Sequence, residues 1–501
     1  MGETLREMDR KKRNWTLAAW AFLIFVPWLQ LGTISLLIGK NAFATYPVWS
    51  DELDYWRSLF SWMNVGLTSG YNGIGEYPPM LGTLSVHGLT PIMLYSGWAR
   101  LFGLTHYSIV LFNSMWISVA ALVFCVLLRP KAWVAALVAA LLMVYVPAIL
   151  YAATSMTELF NYALMLLYIA FFIHSEKTGC RWTRVLAWIT VIFACLYRIT
   201  YFILLLPLIV ESPFRFSKKF MWRTALALVL TILAYGVGTA VTAPYPSGFL
   251  YNWLREKDAG IFVQMFFSHA KGNLYDYFIR HTRSPMEDTL RQLYTIAMAW
   301  TLLCTFVRLE RADGRLRLRF AVSRSYLFSF LLLFVPFAAV IMVYETNDWS
   351  DFRTLAPFLW GTAVLLFMRG RKALPTVLLA GSAAMLVWLC MLAPIDVFEE
   401  RDRFLGPTLD QRILDACAAI TYNPEADDPY ENTIRADIAN YHIMALMDPH
   451  MGFLFGWFTP ENTEESHWIL TDHLKIRLMD REKAYTSSRM KVYQKTVIDE
   501  P

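Results

Sequence analysis

The chain has 501 residues, of which 56 % are hydrophobic and only 17 % are charged. Soluble globular chains carry about a quarter charged residues, so this composition excludes an ordinary soluble enzyme. The formal net charge is +5, but the basic residues stand in short clusters between apolar runs, which argues against a nucleic-acid partner.

Apolar runs long enough to cross a membrane recur along the chain, and a run of roughly 18 residues suffices. The first run follows the cluster Arg10–Arg13 and is longer than the core of a signal peptide, so we predict a retained first span. The fold class predicted is an all-α polytopic membrane protein with about eleven transmembrane helices. We place them at 15–38, 107–128, 132–150, 158–174, 183–196, 199–213, 224–243, 290–307, 325–343, 355–368 and 374–394.

The fifth and sixth spans could instead form one continuous helix over 183–210, with Arg198 at its centre. The positive-inside rule favours two short helices that meet near Arg198. With that split, the inner segments carry roughly twice as many Lys and Arg residues as the longer outer loops. The N-terminus is then predicted inside and the tail outside.

This topology divides the chain into a transmembrane module, 1–394, and an extracytoplasmic tail, 395–501. The module has two long outer loops, 39–106 and 244–289. The tail is more polar, and its pattern predicts a small domain of mixed α and β structure. In the tail, Thr433–Met447 is predicted as a helix, and His467–Met479 and Arg489–Ile498 alternate as strands do.

The first outer loop contains an amphipathic helix that begins near Ser50. Leu53, Trp56 and Phe60 share one face of it, which predicts a helix lying in the membrane interface. Asp51 and Glu52 fall in its first turn, where carboxylates could do chemistry or simply complement the helix dipole.

Later in the same loop, Tyr77-Pro78-Pro79 must break any helix and form a rigid turn. His87 follows, and it could hold a phosphate or a sugar hydroxyl. A lone histidine can equally be structural.

The short outer turn after the third span ends in Glu158. With Ser155 it fits a capping box, or it supplies a second carboxylate that faces Asp51 across an outer cavity. Arg198 and Arg353 stand at the outer ends of spans, where a charge usually faces a cavity or a partner. Arginine suits a phosphate because its planar fork binds two oxygens.

Lys271, in the second outer loop, is a further cation that could act as a ligand or stay solvated. Arg353 also has nearby acids, Asp348 and Asp351, that could simply pair with it. The sequence contains no GxGxxG, P-loop, HExxH or GxSxG motif, and none of its six cysteines forms a CxxC pair.

The order of these motifs resembles the GT-C glycosyltransferases, and most closely the branch of the aminoarabinose transferase of lipid A and the protein O-mannosyltransferases. The likeness covers roughly residues 15–370. It rests on an Asp-Glu pair after the first span, a Pro-Pro and His-Gly stretch, an acid in the second outer turn, and two late basic motifs. These are Asp51-Glu52, Tyr77-Pro78-Pro79 with His87-Gly88, Glu158, Leu196-Tyr197-Arg198-Ile199-Thr200 and Arg353-Thr354-Leu355-Ala356-Pro357. Relatives often carry His-Pro-Pro where this chain has Tyr77-Pro78-Pro79.

The resemblance implies an inverting transferase that moves a sugar from a polyprenyl-phosphate carrier to a lipid, glycan or protein acceptor. It assigns the base to Asp51, with Glu52 and Glu158 positioning the acceptor or the sugar. Phosphate binding falls to Arg198 and Arg353, with Lys271 as a weaker candidate and with Tyr77 and His87 as further substrate contacts. No cofactor is expected. Three acids could hold a divalent ion, as in the oligosaccharyltransferases, but the closer relatives generally work without metal.

Two other functions remain open at this stage: a transporter or flippase for a lipid-linked glycan, and a non-catalytic membrane scaffold. A transporter is expected to show mid-membrane charges, broken helices and an internal repeat. We expect the chain in a bacterial cytoplasmic (inner) membrane, in contact with membrane lipids and with no nucleic acid. The sugar and the acceptor are not encoded in any motif found.

Overall fold

The structure, a computed structural model, shows a predominantly helical chain with apolar spans. It describes residues 2–48, 50–66, 71–74, 80–81, 89–210, 217–240, 259–280, 285–312, 315–343 and 353–392, and in the tail 411, 418, 420–427, 431–436, 441–455, 468–471, 481–486 and 491–495.

The helices of the first half run from the N-terminus to a 3-10 segment and a short α-helix after it. They are α1 (Gly2–Ile38), α2 (Ser50–Val65), α3 (Leu89–Phe102), α4 (Ser108–Leu128), α5 (Ala132–Val144), α6 (Val146–Ala152), α7 (Glu158–Thr178), α8 (Arg181–Tyr197), the 3-10 segment Ile199–Leu205 and α9 (Leu206–Ile209). The second half contains α10 (Lys218–Ala240), α11 (Ala259–Phe278), α12 (Pro285–Phe306), α13 (Arg324–Val343), α14 (Ala356–Met368), α15 (Ala373–Leu392) and, in the tail, α16 (Tyr441–Leu446).

Helical segments occupy all eleven positions that the apolar runs predict. Within the described parts of the chain, five helices are long and apolar enough to cross a membrane by themselves: Lys11–Ile38, Ser108–Leu128, Glu158–Thr178, Arg324–Met342 and Ala373–Met391. A sixth is added if α5 and α6, which meet at a bend of 63°, count as one span. The number of eleven crossings stays a prediction.

The break at Arg198 is confirmed. α8 ends at Tyr197, the backbone of Arg198 is extended (φ −149°, ψ 120°), and the 3-10 segment begins at the next residue. The 3-10 segment packs against α8, and Arg198 lies at the break between them and not within a continuous helix.

The helical core centres on α7, which packs against α4, α8 and α14. α14 comes close to α7 at Gly361, where an added Cβ would lie 2.4 Å from Cγ of Met165. Small residues at such contacts let helix backbones approach closely. Because α7 begins at Glu158 and α14 begins three residues after Arg353, this packing fixes two predicted site residues relative to each other.

The strands are β1 (Tyr71–Ile74), β2 (Met80–Leu81), β3 (Val307–Ala312), β4 (Arg315–Phe320), β5 (Thr433–Ala436), β6 (Gly452–Phe455), β7 (Trp468–Thr471), β8 (Arg481–Thr486) and β9 (Lys491–Lys495). Seven of them form one mixed sheet in the order β2-β1-β6-β5-β7-β9-β8. β1 pairs parallel with β6, with Gly73 opposite Leu454, so the first outer loop extends a sheet of the tail. β3 and β4 form a separate antiparallel hairpin.

The prediction that α2 lies in the membrane interface is wrong for its apolar stripe. Leu53 and Trp56 are buried in a second hydrophobic cluster with tail residues such as Ile443 and Phe453, and Phe60 packs at its edge. The apolar stripe of α2 therefore packs against the tail. Protein can bury an apolar helix face as well as lipid can.

Two other predictions differ locally. Among the described residues of the predicted tail helix, Thr433–Ala436 is strand β5 and Tyr441–Leu446 is helical. The second outer loop, for which no element was predicted, contains the 20-residue helix α11. The strand alternation predicted over His467–Met479 and Arg489–Ile498 is confirmed where it coincides with β7 and β9.

Candidate functional site

The first ion pair of the candidate site joins the start of α2 to the start of α14. Nη1 of Arg353 donates to Oδ2 of Asp51 at 2.7 Å. Asp51 is 20 % exposed and Arg353 is 36 % exposed, so both groups can still be reached by a ligand. Asp51 stands in the first turn of α2, near the positive end of the helix dipole.

The second ion pair joins the start of α7 to the break after α8. Nη2 of Arg198 donates to Oε1 of Glu158. This pair is more deeply buried than the first, with side chains 14 % and 2 % exposed. The other carboxylate oxygen, Oε2 of Glu158, is buried with no hydrogen-bond partner among the residues that the structure describes.

The capping-box interpretation of Glu158 is wrong. The N-cap of α7 is Thr157, whose side chain makes no capping bond, and Oγ of Ser155 has no hydrogen-bond partner in the described part of the chain. A capping box needs a side chain at the N-cap that bonds back to the helix. Glu158 is instead committed to Arg198.

Glu52 has a different role from its neighbour. Its Oε1 accepts the backbone N–H of Ser155 at 2.6 Å, and its Oε2 accepts the backbone N–H of Val48 at 3.0 Å. The side chain is fully buried. Glu52 therefore ties α2 and the loop before it to the turn that carries Glu158.

Thr157 is the point at which the two ion pairs are connected. Its Oγ1 lies 3.1 Å from Oη of Tyr55, and its carbonyl accepts a hydrogen bond from Oη of Tyr197 at 3.2 Å. The adjacent carbonyl of Met156 accepts from Nδ2 of Asn113 at 2.8 Å. The turn before α7 is thus fastened to α2, α4 and α8.

Tyr55 lies on α2 between the two pairs and is 1 % exposed. Burial, with the nearby carboxylate of Glu158 as the next contribution, raises the pKa of Tyr55 well above its usual value. Tyr55 is therefore a neutral hydroxyl that orients the turn, and it is not a candidate base.

Together these contacts bring two carboxylates and two guanidinium groups to one end of the helical core, on one framework of hydrogen bonds. The four residues come from segments far apart in the sequence. Such a site can exchange one carboxylate for an incoming anion, because a guanidinium binds a phosphate as well as a carboxylate.

Three further predicted site residues were named from the sequence: Tyr77, His87 and Lys271. Tyr77 and His87 lie outside the described residues. Lys271 is exposed on α11 and makes no ion pair or hydrogen bond within the described chain.

The carboxylates do not resemble a set of free metal ligands. Among the described residues, no three His, Cys, Asp or Glu side chains form a group that could hold a metal ion. Asp51 and Glu158 each face a guanidinium, and both oxygens of Glu52 accept backbone N–H groups.

Sequence reasoning missed Arg57, which fastens the tail to α2. Its Nη1 donates to the carbonyls of Met444 (2.8 Å) and Met447 (3.4 Å), and its Nη2 to those of Met451 (2.9 Å) and Asp448. Burial lowers the pKa of Arg57 to about 9, so the guanidinium stays charged at neutral pH. An arginine beside the apolar stripe of α2 was the only signal in the sequence.

An aromatic cluster makes a second contact between the tail and the loops. Tyr46, before α2, stacks on His106 with ring centroids 3.9 Å apart. Tyr441 and His442 of α16 lie 5.4 and 4.7 Å from the same tyrosine ring. Asp51 is therefore on a helix that is held by the tail at more than one point.

No protein-family model matches the sequence, and no curated protein matches it. Solved structures similar to it include an oligosaccharyltransferase from Archaeoglobus fulgidus in complex with zinc and sulfate. That similarity has 12 % identity and a TM-score of 0.46 and covers 91 % of this chain and 68 % of that one.

Two others are ArnT from Cupriavidus metallidurans bound to undecaprenyl phosphate and the same protein in the apo state. Their identities are 11 % and 12 %, and their TM-scores are 0.43 and 0.41. They cover 97 % and 96 % of this chain, and 98 % of ArnT in each case. Every TM-score is below 0.5, so these similarities do not establish a function.

Proposed function

We propose that this chain is an inverting glycosyltransferase that moves a sugar from a polyprenyl-phosphate carrier to a lipid, glycan or protein acceptor. It acts at the outer face of a bacterial cytoplasmic membrane. The observation that carries the proposal is the pairing of Asp51 with Arg353 beside the buried pair of Glu158 and Arg198. The motif resemblance supports the same class.

The chemistry needs one base and at least one cation. The acceptor oxygen or nitrogen attacks the anomeric carbon, the bond from that carbon to the phosphate oxygen breaks, and the polyprenyl phosphate leaves. The proton of the acceptor goes to a carboxylate, and the charge that develops on the phosphate needs stabilisation. Attack from the face opposite the phosphate inverts the sugar.

The two ion pairs differ in exposure, and we assign them different roles on that basis: the exposed pair meets the phosphate and the acceptor, and the buried pair positions the donor. Arg353 is the more exposed guanidinium, and in the proposed mechanism the phosphate of the donor takes the place of Asp51 on it. The displacement removes this guanidinium from the carboxylate of Asp51, which then accepts the proton of the acceptor. No metal ion is required in this sequence of events.

The buried pair is proposed to position the donor. Arg198 is only 14 % exposed and is already held by Glu158, so it adds a fixed positive charge beneath the phosphate. Oε2 of Glu158, which has no hydrogen-bond partner within the described ranges, is proposed to accept a hydrogen bond from a sugar hydroxyl. Glu52 is proposed to support this arrangement through the backbone of Ser155.

A flippase for a lipid-linked glycan is the second candidate, favoured by the 63° bend between α5 and α6 and by the break at Arg198. Discontinuous helices of this kind line substrate paths in transporters. A flippase would move the intact donor without breaking the bond from sugar to phosphate.

The test is transfer of labelled sugar from a panel of polyprenyl-phosphate sugars to membrane acceptors by purified wild type and Asp51→Asn, with and without EDTA. Transfer by the wild type, unchanged by EDTA and lost in Asp51→Asn, supports the proposal. Movement of intact donor across proteoliposomes without its cleavage supports the flippase. Absence of both across a panel that contains the native donor leaves the scaffold function.

A further inference from the structure

A cavity of about 450 Å³ lies at the end of the helical core opposite the candidate site. It is bounded by α7, α9, α13 and α14. Phe172 and Glu176 of α7 belong to its lining, and Glu158 stands at the other end of the same helix. At a rise of 1.5 Å per residue, Glu176 is about 27 Å from Glu158 along α7. The cavity is therefore separate from the paired charges.

The walls of the cavity are apolar. They include Phe172 on α7, Leu206 on α9, and Leu327, Phe328 and Leu331 on α13. Aliphatic and aromatic side chains that enclose such a volume would fit a hydrocarbon chain better than a polar metabolite.

The rim of the cavity is positively charged. Among the described residues that line it are Arg324, Arg369 and Glu176, which gives two guanidinium groups to one carboxylate in that part of the chain. Nη2 of Arg369 lies 3.2 Å from Oε2 of Glu176, and its Nη1 donates to Oγ of Ser325 at 2.6 Å. These contacts hold the guanidinium of Arg369 at the mouth of an apolar cavity.

We propose that this cavity binds an anionic phospholipid of the adjacent leaflet. One acyl chain lies between α7 and α13, and the phosphodiester contacts Arg324 and Arg369. The charge at the rim decides the headgroup, because basic pockets between membrane helices favour anionic lipids. A zwitterionic lipid would make the same apolar contacts with the walls but weaker electrostatic contacts with the two arginines of the rim. A soluble phosphate would make no apolar contact with the walls.

The occupied cavity joins two parts of the core. α7 carries Glu158 at its far end, and α13 and α14 flank the turn that carries Arg353. A ligand that binds the folded state stabilises it in proportion to its affinity and concentration. Lipid binding should therefore raise the melting temperature of the purified protein.

The test compares phosphatidylglycerol with phosphatidylcholine of the same acyl chains, using native mass spectrometry and thermal unfolding of the full chain in detergent. We expect phosphatidylglycerol to bind at least fivefold more tightly and to stabilise the protein more. Arg324→Gln and Arg369→Gln should each remove most of that preference.

Arg371→Gln is the matched control. It removes the same charge from the same end of the helices, but Arg371 lies over the ring of Tyr326 and does not line the cavity. If Arg369→Gln fails to fold, Arg324→Gln carries the comparison alone. Leu331→Trp, which fills the cavity, should weaken binding of both lipids.

Three results would overturn the proposal. One is equal binding of the two lipids, and another is an equal effect of Arg371→Gln and Arg324→Gln. The third is displacement of bound lipid by glycerol phosphate at matched concentration, which would show that the rim acts without the apolar walls.

Discussion

At the scale of single residues, the depth of each ion pair decides what its loss should cost. A buried charge that loses its partner is left uncompensated, at a cost of about 3–5 kcal/mol, whereas an exposed pair contributes about 0–1 kcal/mol. The pair of Glu158 and Arg198 belongs to the first kind. The pair of Glu176 and Arg369 is closer to the second, because Glu176 is 49 % exposed.

We therefore expect Glu158→Gln to lower the free energy of unfolding by about 3 kcal/mol. The double variant Glu158→Gln with Arg198→Gln should be less destabilised than the sum of the two single variants, because neither charge is then left alone. Thermal unfolding in detergent measures the stability of the single and double variants. Glu176→Gln is the control, and its stability should differ little from that of the wild type. Additive effects would show that the two groups do not interact.

The sequence identified the acids and the arginines of the site but not how they are paired. Among the described residues Arg353 pairs with Asp51, 302 positions away in the chain. Asp348 and Asp351, the candidates nearer in sequence, lie outside the described residues. Charge and helix-end position are local properties that a sequence displays, whereas pairing depends on how α2, α7 and α14 pack.

At the scale of elements, α2 is held between the helical core and the tail. Arg57 satisfies four carbonyl oxygens of the tail, and its guanidinium lies 5.1 and 4.9 Å from the ring centroids of Phe60 and Phe453. Hydrogen bonds to a charged group contribute about 1.5–3 kcal/mol each when buried.

Replacing this residue, as in Arg57→Met, should therefore release the tail while leaving the helical core folded. We expect at least tenfold faster cleavage of the tail by a site-nonspecific protease, and a lower transfer rate because Asp51 is on the same helix. Arg100→Gln, an exposed arginine on α3, is the control. Unchanged proteolysis of Arg57→Met would show that the tail is held by other contacts.

The aromatic contact between the tail and the loops should depend on pH. Burial, with the neighbouring His442 as a smaller contribution, lowers the pKa of His106 to about 4, while an unfolded histidine titrates near 6.5. Between these values the released state binds a proton that the docked state does not, so docking weakens as pH falls. The contribution of His106 to docking of the tail is complete above a pH of about 6.5, and it is lost as the pH falls from there through about 4.

We expect tail proteolysis in the wild type to accelerate as the pH falls from about 6.5 to 4. His106→Phe keeps a ring against Tyr46 without a titrating group, so most of that acceleration should disappear. A pH profile of His106→Phe that matches the wild type would assign the effect to another group.

The apolar stripe of α2 shows why its environment could not be predicted. Amphipathic periodicity states that one face is buried, but it does not say whether lipid or protein covers that face. Leu53 and Trp56 pack on Ile443 and Phe453 of the tail, whose sequence gave no recognisable motif.

At the scale of the whole molecule, helix positions were predictable because long apolar runs are visible in a short window. The sheet that the first outer loop shares with the tail was not predictable in this way. Pairing of Gly73 with Leu454 joins short strands from opposite ends of the chain, and nothing near either strand encodes it.

The predicted orientation places Asp51 outside and the turn between α7 and α8 inside. Cys180 in that turn should react with a membrane-impermeant maleimide only in inverted vesicles, and Asn41→Cys, after α1, only in intact spheroplasts. Each site thereby serves as the control for the other. Labelling of both from one side would contradict the orientation and with it the proposed outer-face reaction.

The most direct measurement of the central claim separates donor binding from chemistry in Asp51→Asn. Loss of a general base lowers rates by about 10²–10⁴-fold, and Asp51 is not the phosphate ligand. Single-turnover sugar transfer and donor affinity are measured for the wild type, Asp51→Asn and Asp276→Asn. The last variant breaks the ion pair between Asp276, on α11, and Arg280, which follows the helix.

We predict that Asp51→Asn loses at least about 100-fold in transfer rate while its donor affinity stays within about threefold of the wild type, and that Asp276→Asn keeps both. Transfer by Asp51→Asn at the wild-type rate would contradict the assignment of the base and the mechanism built on it.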